Sequence, residues 1–215
     1  MIPGLASLAA AAVLAAAAVP AGGELVDVQA LVPDLVLDLR YATDDNFLGR
    51  AVYPPSARCY LRRDAAERLA KVADRLRRED GTRLYAFDCY RPLAVQREMW
   101  KIFPKKGYVA DPAGGSIHNR GGAIDLTLAD REGRPLPMPS AFDEFTRRSW
   151  HSYTGGTLAE LRNRARLKTA MEAAGFRPIR MEWWHYEAPG ARTWKLLDDS
   201  FDALAGRGPE QPARP

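Results

Sequence analysis

The sequence predicts an α+β domain, on three observations. Two long segments carry helical periodicity and helical punctuation, Asp64 to Arg78 and the stretch opened by Thr157 and closed by Gly175. Three others, Arg83 to Asp88, Ala123 to Leu128 and Phe176 to Tyr186, have the alternation or the aromatic content of strands. At 215 residues, with 47% hydrophobic and 27% charged side chains, the chain can bury one sizeable core, and nothing in it suggests two.

In chain order, Leu5 to Val19 is an apolar, alanine-rich run of signal-peptide length, and Val19-Pro20-Ala21 fits the small-residue cleavage rule. Residues 1–21 therefore read as a leader and the mature chain starts near Gly22, exported and periplasmic, although no Lys or Arg precedes the run. The run is short for a bilayer span of ~20 residues, so no stable membrane insertion is expected once the leader is removed. Gly22 to Asp38 reads as extended, with Leu35, Leu37 and Leu39 alternating against Val36 and Asp38. Tyr41 to Tyr53 is polar and turn-rich. The first helix has Asp64 and Glu67 as a capping box, Leu69, Val72, Ala73 and Leu76 on one face, and Gly81 as its stop.

After the strand Arg83 to Asp88, Pro92 suits the first position of a second helix, which leaves Tyr90 and Arg91 displayed at a strand-to-helix turn. Lys105 to Gly115 is a surface loop. Gly121-Gly122 breaks the chain before the strand Ala123 to Leu128, and the break matters. His118 and Asp125 are an odd number of residues apart, so a straight strand would send them to opposite faces. Arg131 to Pro139 is a loop, and Thr157 with Glu160 caps a long helix that turns Leu158, Leu161, Ala165 and Met171 inward. The domain spans 22–205, and 206–215 is a tail too rich in Pro and Gly to pack, expected to be disordered.

The net charge of +4 comes from basic residues interspersed with acids, as in Arg75-Leu76-Arg77-Arg78-Glu79-Asp80, which describes a solvated helix face rather than a nucleic-acid surface. Cys59 and Cys89 make an even pair that an oxidising compartment would allow to bridge. Two buried free thiols are the alternative. A bridge is preferred because it would tether the chain beside Arg91, and without a CxxC partner the pair is not a metal site.

Two of the chain's three histidines stand in its most chemically loaded stretches, Ser116-Ile117-His118-Asn119-Arg120-Gly121-Gly122-Ala123-Ile124-Asp125 and Glu182-Trp183-Trp184-His185. Two imidazoles, a carboxylate and a spare glutamate are the parts of a catalytic metal site, in which three ligands leave a position for water and a fourth group takes its proton. Glu182 and His185 can serve one site only if the chain bulges between them. Trp183 and Trp184 would shield Glu182; desolvation favours its neutral form and a nearby cation its anion. His151 is read as structural or as a support behind the ligands, since three ligands already suffice.

The pattern Ser-x-His-x-x-Gly-x-Ala-x-Asp followed by Glu-x-Trp-His resembles the zinc D-Ala-D-Ala dipeptidases of the vancomycin-resistance type, in the hedgehog/D,D-peptidase fold group. The likeness includes Tyr41-Ala42-Thr43-Asp44-Asp45-Asn46-Phe47, Tyr90-Arg91-Pro92 and Phe142-Asp143, and covers most of Arg40 to Tyr186. It implies a central, mostly antiparallel sheet flanked by helices, and one Zn2+ per chain held by His118, Asp125 and His185. It further implies Glu182 as general base and then acid, Arg91 as oxyanion stabiliser, Asp143 as holder of the substrate ammonium, and Ser116, Tyr41 and Tyr53 as positioning groups. Tyr53 departs from the family spacing. The implied reaction is hydrolysis of D-Ala-D-Ala to two D-alanines in cell-wall peptide metabolism. The alternatives are a zinc D,D- or L,D-carboxypeptidase acting on peptidoglycan stem peptides, and a catalytically silent zinc module, against which Glu182 and Arg91 argue. The oligomeric state is not legible.

Overall fold

The computed structural model describes residues 20–105 and 107–207, so the leader run through Val19 and the tail beyond Arg207 lie outside the described residues. The elements are β1 (Leu25–Asp27), β2 (Val36–Leu37), β3 (Tyr60–Arg62), α1 (Arg63–Asp80), β4 (Arg83–Asp88), α2 (Leu93–Ile102), β5 (Ala123–Ala129), α3 (Leu158–Ala173), β6 (Arg177–Ile179), β7 (Glu182–Glu187) and α4 (Phe201–Ala205). Five strands form the central sheet in the order β2-β4-β5-β7-β6, antiparallel except for the β2–β4 pair, and β1 pairs with β3 separately. This is the α+β, mostly antiparallel architecture expected.

Helices α1 and α3 touch each other and pack against the sheet. Leu69, Val72 and Leu76 of α1, Leu167 and Met171 of α3, and Ile124, Leu126 and Leu128 of β5 join in one core. Each large apolar side chain buried there contributes about 1.5–3 kcal/mol. Strand β5 shows no alternation of exposure, because every one of its residues is buried. One of its faces meets the helices, and the other carries Asp125 into the wall of a cavity.

Several local expectations shift for identifiable reasons. The extended segment before Asp38 yields only the short strands β1 and β2, interrupted by a 3-10 turn over Val28–Ala30 that the Asp27 side chain caps through Gln29 N at 3.0 Å. No capping box opens α1: the helix begins a residue earlier, and the Asp64 carboxylate instead accepts from Arg68 Nε at 3.1 Å. Gly81 does stop it, at φ 79°. Pro92 stands at the N-cap of α2 with ψ 141°, so Leu93 is the first helical residue. The Thr157–Glu160 capping box forms in full. The buried stripe of α3, however, runs through Arg164, Leu167, Ala170 and Met171, leaving Ala165 exposed and Leu158 72% exposed. The stripe tolerates Arg164 because its guanidinium donates to the carbonyls of Trp150 and Tyr153 at 3.0 and 2.7 Å.

Cys59 and Cys89 are disulfide-bonded, joining the residue that precedes β3 to the residue that follows β4. No helix among the described residues is long and apolar enough to cross a membrane.

Candidate active site

Strands β4, β5 and β7 lie side by side, and each delivers a polar side chain to the same place. The register pairs Asp125 of β5 with Asp88 of β4 on one side and with His185 of β7 on the other. Both flanking strands are irregular there. The β4 register slips between Ala86 and Asp88, and on β7 the residues from Trp183 to His185 bulge against β6, as the Glu182–His185 spacing requires. His118 arrives from the 3-10 turn His118–Arg120. That turn ends at Gly121 with φ 67°, a conformation costly for any other residue, and an added Cβ there would meet Leu25 and Arg62.

The three donors converge. His118 Nε2 lies 3.1 Å from His185 Nδ1 and 3.4 Å from Asp125 Oδ1, and His185 Nδ1 lies 2.9 Å from Asp125 Oδ1. All three residues are buried. The remaining imidazole nitrogens face outward from the cluster: His118 Nδ1 bonds the Cys89 carbonyl at 2.7 Å, and His185 Nε2 faces Glu187 Oε1 at 3.7 Å. The outward nitrogens thus face oxygen acceptors and the inward ones face the cluster, the arrangement in which outer groups orient the rings of a metal ligand.

A cavity of about 400 Å3 opens over this cluster, lined among others by Tyr41, Arg91, Ser116, Asp143, Glu182 and Trp184. Burial raises the Glu182 carboxyl to about 7, with a further push from Asp125, against the pull of His185, His118 and Arg91. A carboxylate tuned near neutrality is suited to exchange a proton with water. The Asp143 carboxyl stands well above the usual carboxylate range because it is buried and faces the charge of Asp125. Tyr41 Oη donates to it at 3.2 Å. Asp143 is also the non-glycine residue with positive φ, 58°, among those described, a strained backbone of the kind that gathers at functional sites.

Arg91 is anchored inside the protein. Its Nη2 and Nε donate to Asp88 at 2.5 and 3.2 Å, and its Nη1 to Gln96 Oε1 at 2.8 Å. Burial works against its charge, and Asp88, Tyr53 and Tyr41 together outweigh burial. Ser116 lines the cavity and holds the His118 turn, accepting from His118 N at 3.2 Å.

Tyr53 is placed differently from expectation. It is buried behind Asp88, to which its hydroxyl donates at 2.6 Å, and is not on the cavity wall. It reaches the cavity indirectly, through Asp88 and through its ring contact with Tyr41 at 5.7 Å. His151 is not among the residues lining the cavity, and its ring lies against Tyr186 at 6.2 Å. Sequence reading missed Asp88, Gln96, Glu187 and Arg192. Glu187 had a signal: two residues after His185 on one strand, it must share that residue's face. Gln96 and Arg192 had none.

A buried His-Asp-His cluster beside a proton-accepting carboxylate, set in an antiparallel sheet, defines a metal-dependent hydrolase. The M15 peptidase family model, described as D-ala-D-ala dipeptidase, matches residues 22–205. The chain is 42% identical to the D-alanyl-D-alanine dipeptidase of Escherichia coli (strain K12) over 185 residues, 86% of this chain and 95% of that protein. It is 39% identical to the enzyme of that name from Enterococcus faecium over 173 residues, 69% of this chain and 83% of that protein. It is 36% identical to the one from Enterococcus faecalis (strain ATCC 700802 / V583), covering 76% and 87%. The chain belongs to the M15 D-Ala-D-Ala dipeptidase family and is a metallopeptidase, as the motif resemblance implied.

Proposed function

We propose that this chain is a zinc dipeptidase that hydrolyses D-Ala-D-Ala to two D-alanines in cell-wall peptide turnover, and that it works in the periplasm after loss of its leader. The observation that carries the reading is the convergence of His118, Asp125 and His185 beneath a cavity that also holds Glu182 and Asp143. The donor set fits zinc. Bonds of ~2.0–2.1 Å in tetrahedral geometry place neighbouring ligand atoms about 3.3 Å apart, close to the separations given above. Zinc, when bound, supplies an electrophile that acidifies water and polarises the scissile carbonyl.

The chain's own groups do the rest. Glu182 takes the proton of the attacking water and returns it to the leaving amine. Arg91, fixed by Asp88 and Gln96, meets the negative charge that develops on the carbonyl oxygen. Asp143, with Tyr41 bonded to it, receives the substrate ammonium, whose positive charge restores the carboxylate that burial disfavours. An N-acylated stem peptide has no such ammonium, so Asp143 favours the dipeptidase over the carboxypeptidase. The Cys59–Cys89 bridge supports an oxidising location.

The deciding experiment pairs metal analysis with a dipeptide screen resolved by chirality, including N-acetyl-D-Ala-D-Ala. Expected are one zinc per chain, turnover of D-Ala-D-Ala and little of the acylated form. The Glu182→Gln protein should keep its zinc and lose about 10^2- to 10^4-fold in kcat. Preference for the acylated substrate would install the carboxypeptidase instead, and zinc without turnover of any dipeptide would leave only a binding module. Recovery of the full-length precursor from the cytoplasm alone would defeat the periplasmic assignment.

A further inference from the structure

Building on the dipeptidase reading, we propose that Arg192 recognises the C-terminal carboxylate of the substrate, with Glu187 holding it in position. A free dipeptide carries a charge at each end, and Asp143 accounts for only one of them. The cavity wall is rich in acids, Asp125, Asp143, Glu182 and Glu187, which repel a carboxylate. Among the described residues lining it, the arginines are Arg91 and Arg192. Arg91 is anchored to Asp88 and Gln96, and its remaining donors are already assigned above to the developing oxyanion.

Arg192 is not committed in this way. It follows Gly190, at φ 75°, in the 3-10 turn Ala191–Thr193, and its side chain is 70% exposed. Its Nε and Nη2 donate to Glu187 at 2.8 and 3.0 Å, which clamps one edge of the fork. The opposite edge, with Nη1 and the second Nη2 hydrogen, keeps the parallel donors that match a carboxylate. An exposed arginine ordinarily loses rotamer freedom on binding, and the Glu187 clamp removes part of that cost beforehand. Glu187 is itself buried and faces His185 Nε2, so the clamp is built on the strand that carries a metal ligand. Asp143 is bonded to Tyr41 and Arg192 to Glu187, so the cavity offers two separate charged stations to the two ends of a dipeptide.

The test uses the zinc-loaded full chain with D-Ala-D-Ala and its C-terminal amide. Arg192→Gln should raise KM for the free dipeptide about 10- to 100-fold, the range of a hydrogen bond to a charged group. Its kcat should stay within about threefold, while KM for the amide and the zinc content are unchanged. Arg192→Lys should recover part of the affinity for the free dipeptide and none for the amide. Equal losses on both substrates, or loss of zinc, would overturn the proposal by showing that Arg192 acts through Glu187 on His185; an unchanged KM would overturn it outright. Calorimetry of Glu182→Gln and Glu182→Gln/Arg192→Gln proteins with intact D-Ala-D-Ala separates this inference from the dipeptidase reading. Equal affinity in the two proteins defeats the inference alone, and no binding by either defeats both.

Discussion

One wall of the cavity is made of sheet and another of turns. Asp125 and His185 sit on paired strands, with Glu182 at the start of β7 and Arg91 tied to the end of β4. Tyr41 sits on a 3-10 turn, and Asp143 and Phe145 lie outside any helix or strand. This second wall coheres through ring contacts instead, Tyr41 against Phe47, Tyr53 and Phe142, and Phe47 against Phe103 and Phe145, at 5.3–6.1 Å. Backbone hydrogen bonds fix the sheet wall, whereas the turn wall depends on how side chains fill space. The groups proposed for bond making stand on the first wall, except His118 on its 3-10 turn, and those proposed to sort substrates stand on the second. Variants of the sheet wall should therefore change kcat, and variants of the turn wall should change KM.

The largest effect expected after Glu182→Gln is at Arg91. Arg91→Lys keeps the charge, so Asp88 is not left as an unpaired buried anion, a loss that would cost about 3–5 kcal/mol of stability. Lysine cannot reproduce the planar fork that holds Asp88 and Gln96 and is proposed to meet the reacting oxygen as well. We expect kcat to fall about 10^2- to 10^3-fold with KM nearly constant and zinc retained, as read from steady-state kinetics and metal analysis. A loss confined to KM would place Arg91 with the substrate-sorting groups and erase the distinction between the walls.

The two walls also differed in how far the sequence revealed them. His118, Asp125, Glu182 and His185 were legible because ligand chemistry restricts residue type and strand periodicity restricts spacing, so that even the bulge on β7 followed from Glu182 and His185 being three apart. Asp143 and Tyr41 were legible only through family resemblance, since no local rule brings residues 102 positions apart into contact. Gln96 and Arg192 were hidden although each bonds a partner five residues away, because no periodicity or motif singles out either position. Thr157 and Glu160 gave a capping box because both partners lie within one turn, whereas Asp64 and Glu67 gave none because α1 starts a residue early and Arg68 captures Asp64. Helix-face assignment failed at Leu158 and Ala165 because α3 turns a stripe containing Arg164 towards the core, a choice made by the carbonyls of Trp150 and Tyr153.

On the turn wall, Asp143→Asn removes the charge proposed to face the substrate ammonium while preserving the size of the side chain. KM for D-Ala-D-Ala should rise about 100-fold, with kcat changed far less. The sharper reading is selectivity: the ratio of kcat/KM between D-Ala-D-Ala and N-acetyl-D-Ala-D-Ala should collapse towards unity. A large fall in kcat with selectivity intact would mean that Asp143 acts on the reaction centre, joining the sheet wall in role though not in structure.

The smallest effect lies in stability, and it exposes what the sheet wall gives up for its chemistry. The Glu182 carboxyl is raised from 4.5 to about 7 in the fold, mainly by burial, so the folded protein holds the proton more tightly than the unfolded chain does. Below about pH 4.5 both states are protonated and the group contributes nothing. Between that pH and 7 the unfolded chain ionises first, and above 7 the folded protein carries a buried anion at the full penalty. With its partial exposure to the cavity, that penalty is about 1–2 kcal/mol. Metal-free Glu182→Gln protein should accordingly match the metal-free wild type at pH 4.5 and melt a few degrees above it at pH 8, as followed by thermal unfolding with chelator present. Loading the metal should shrink the gap, because a cation beside the carboxylate favours its ionised form. The same titration requires turnover by the loaded enzyme to fall as Glu182 gains its proton, at a pH below 7 for that reason. A stability gap that is equal at both pH values would show that Glu182 is not held out of water, and that the bulge on β7 presents it to bulk solvent.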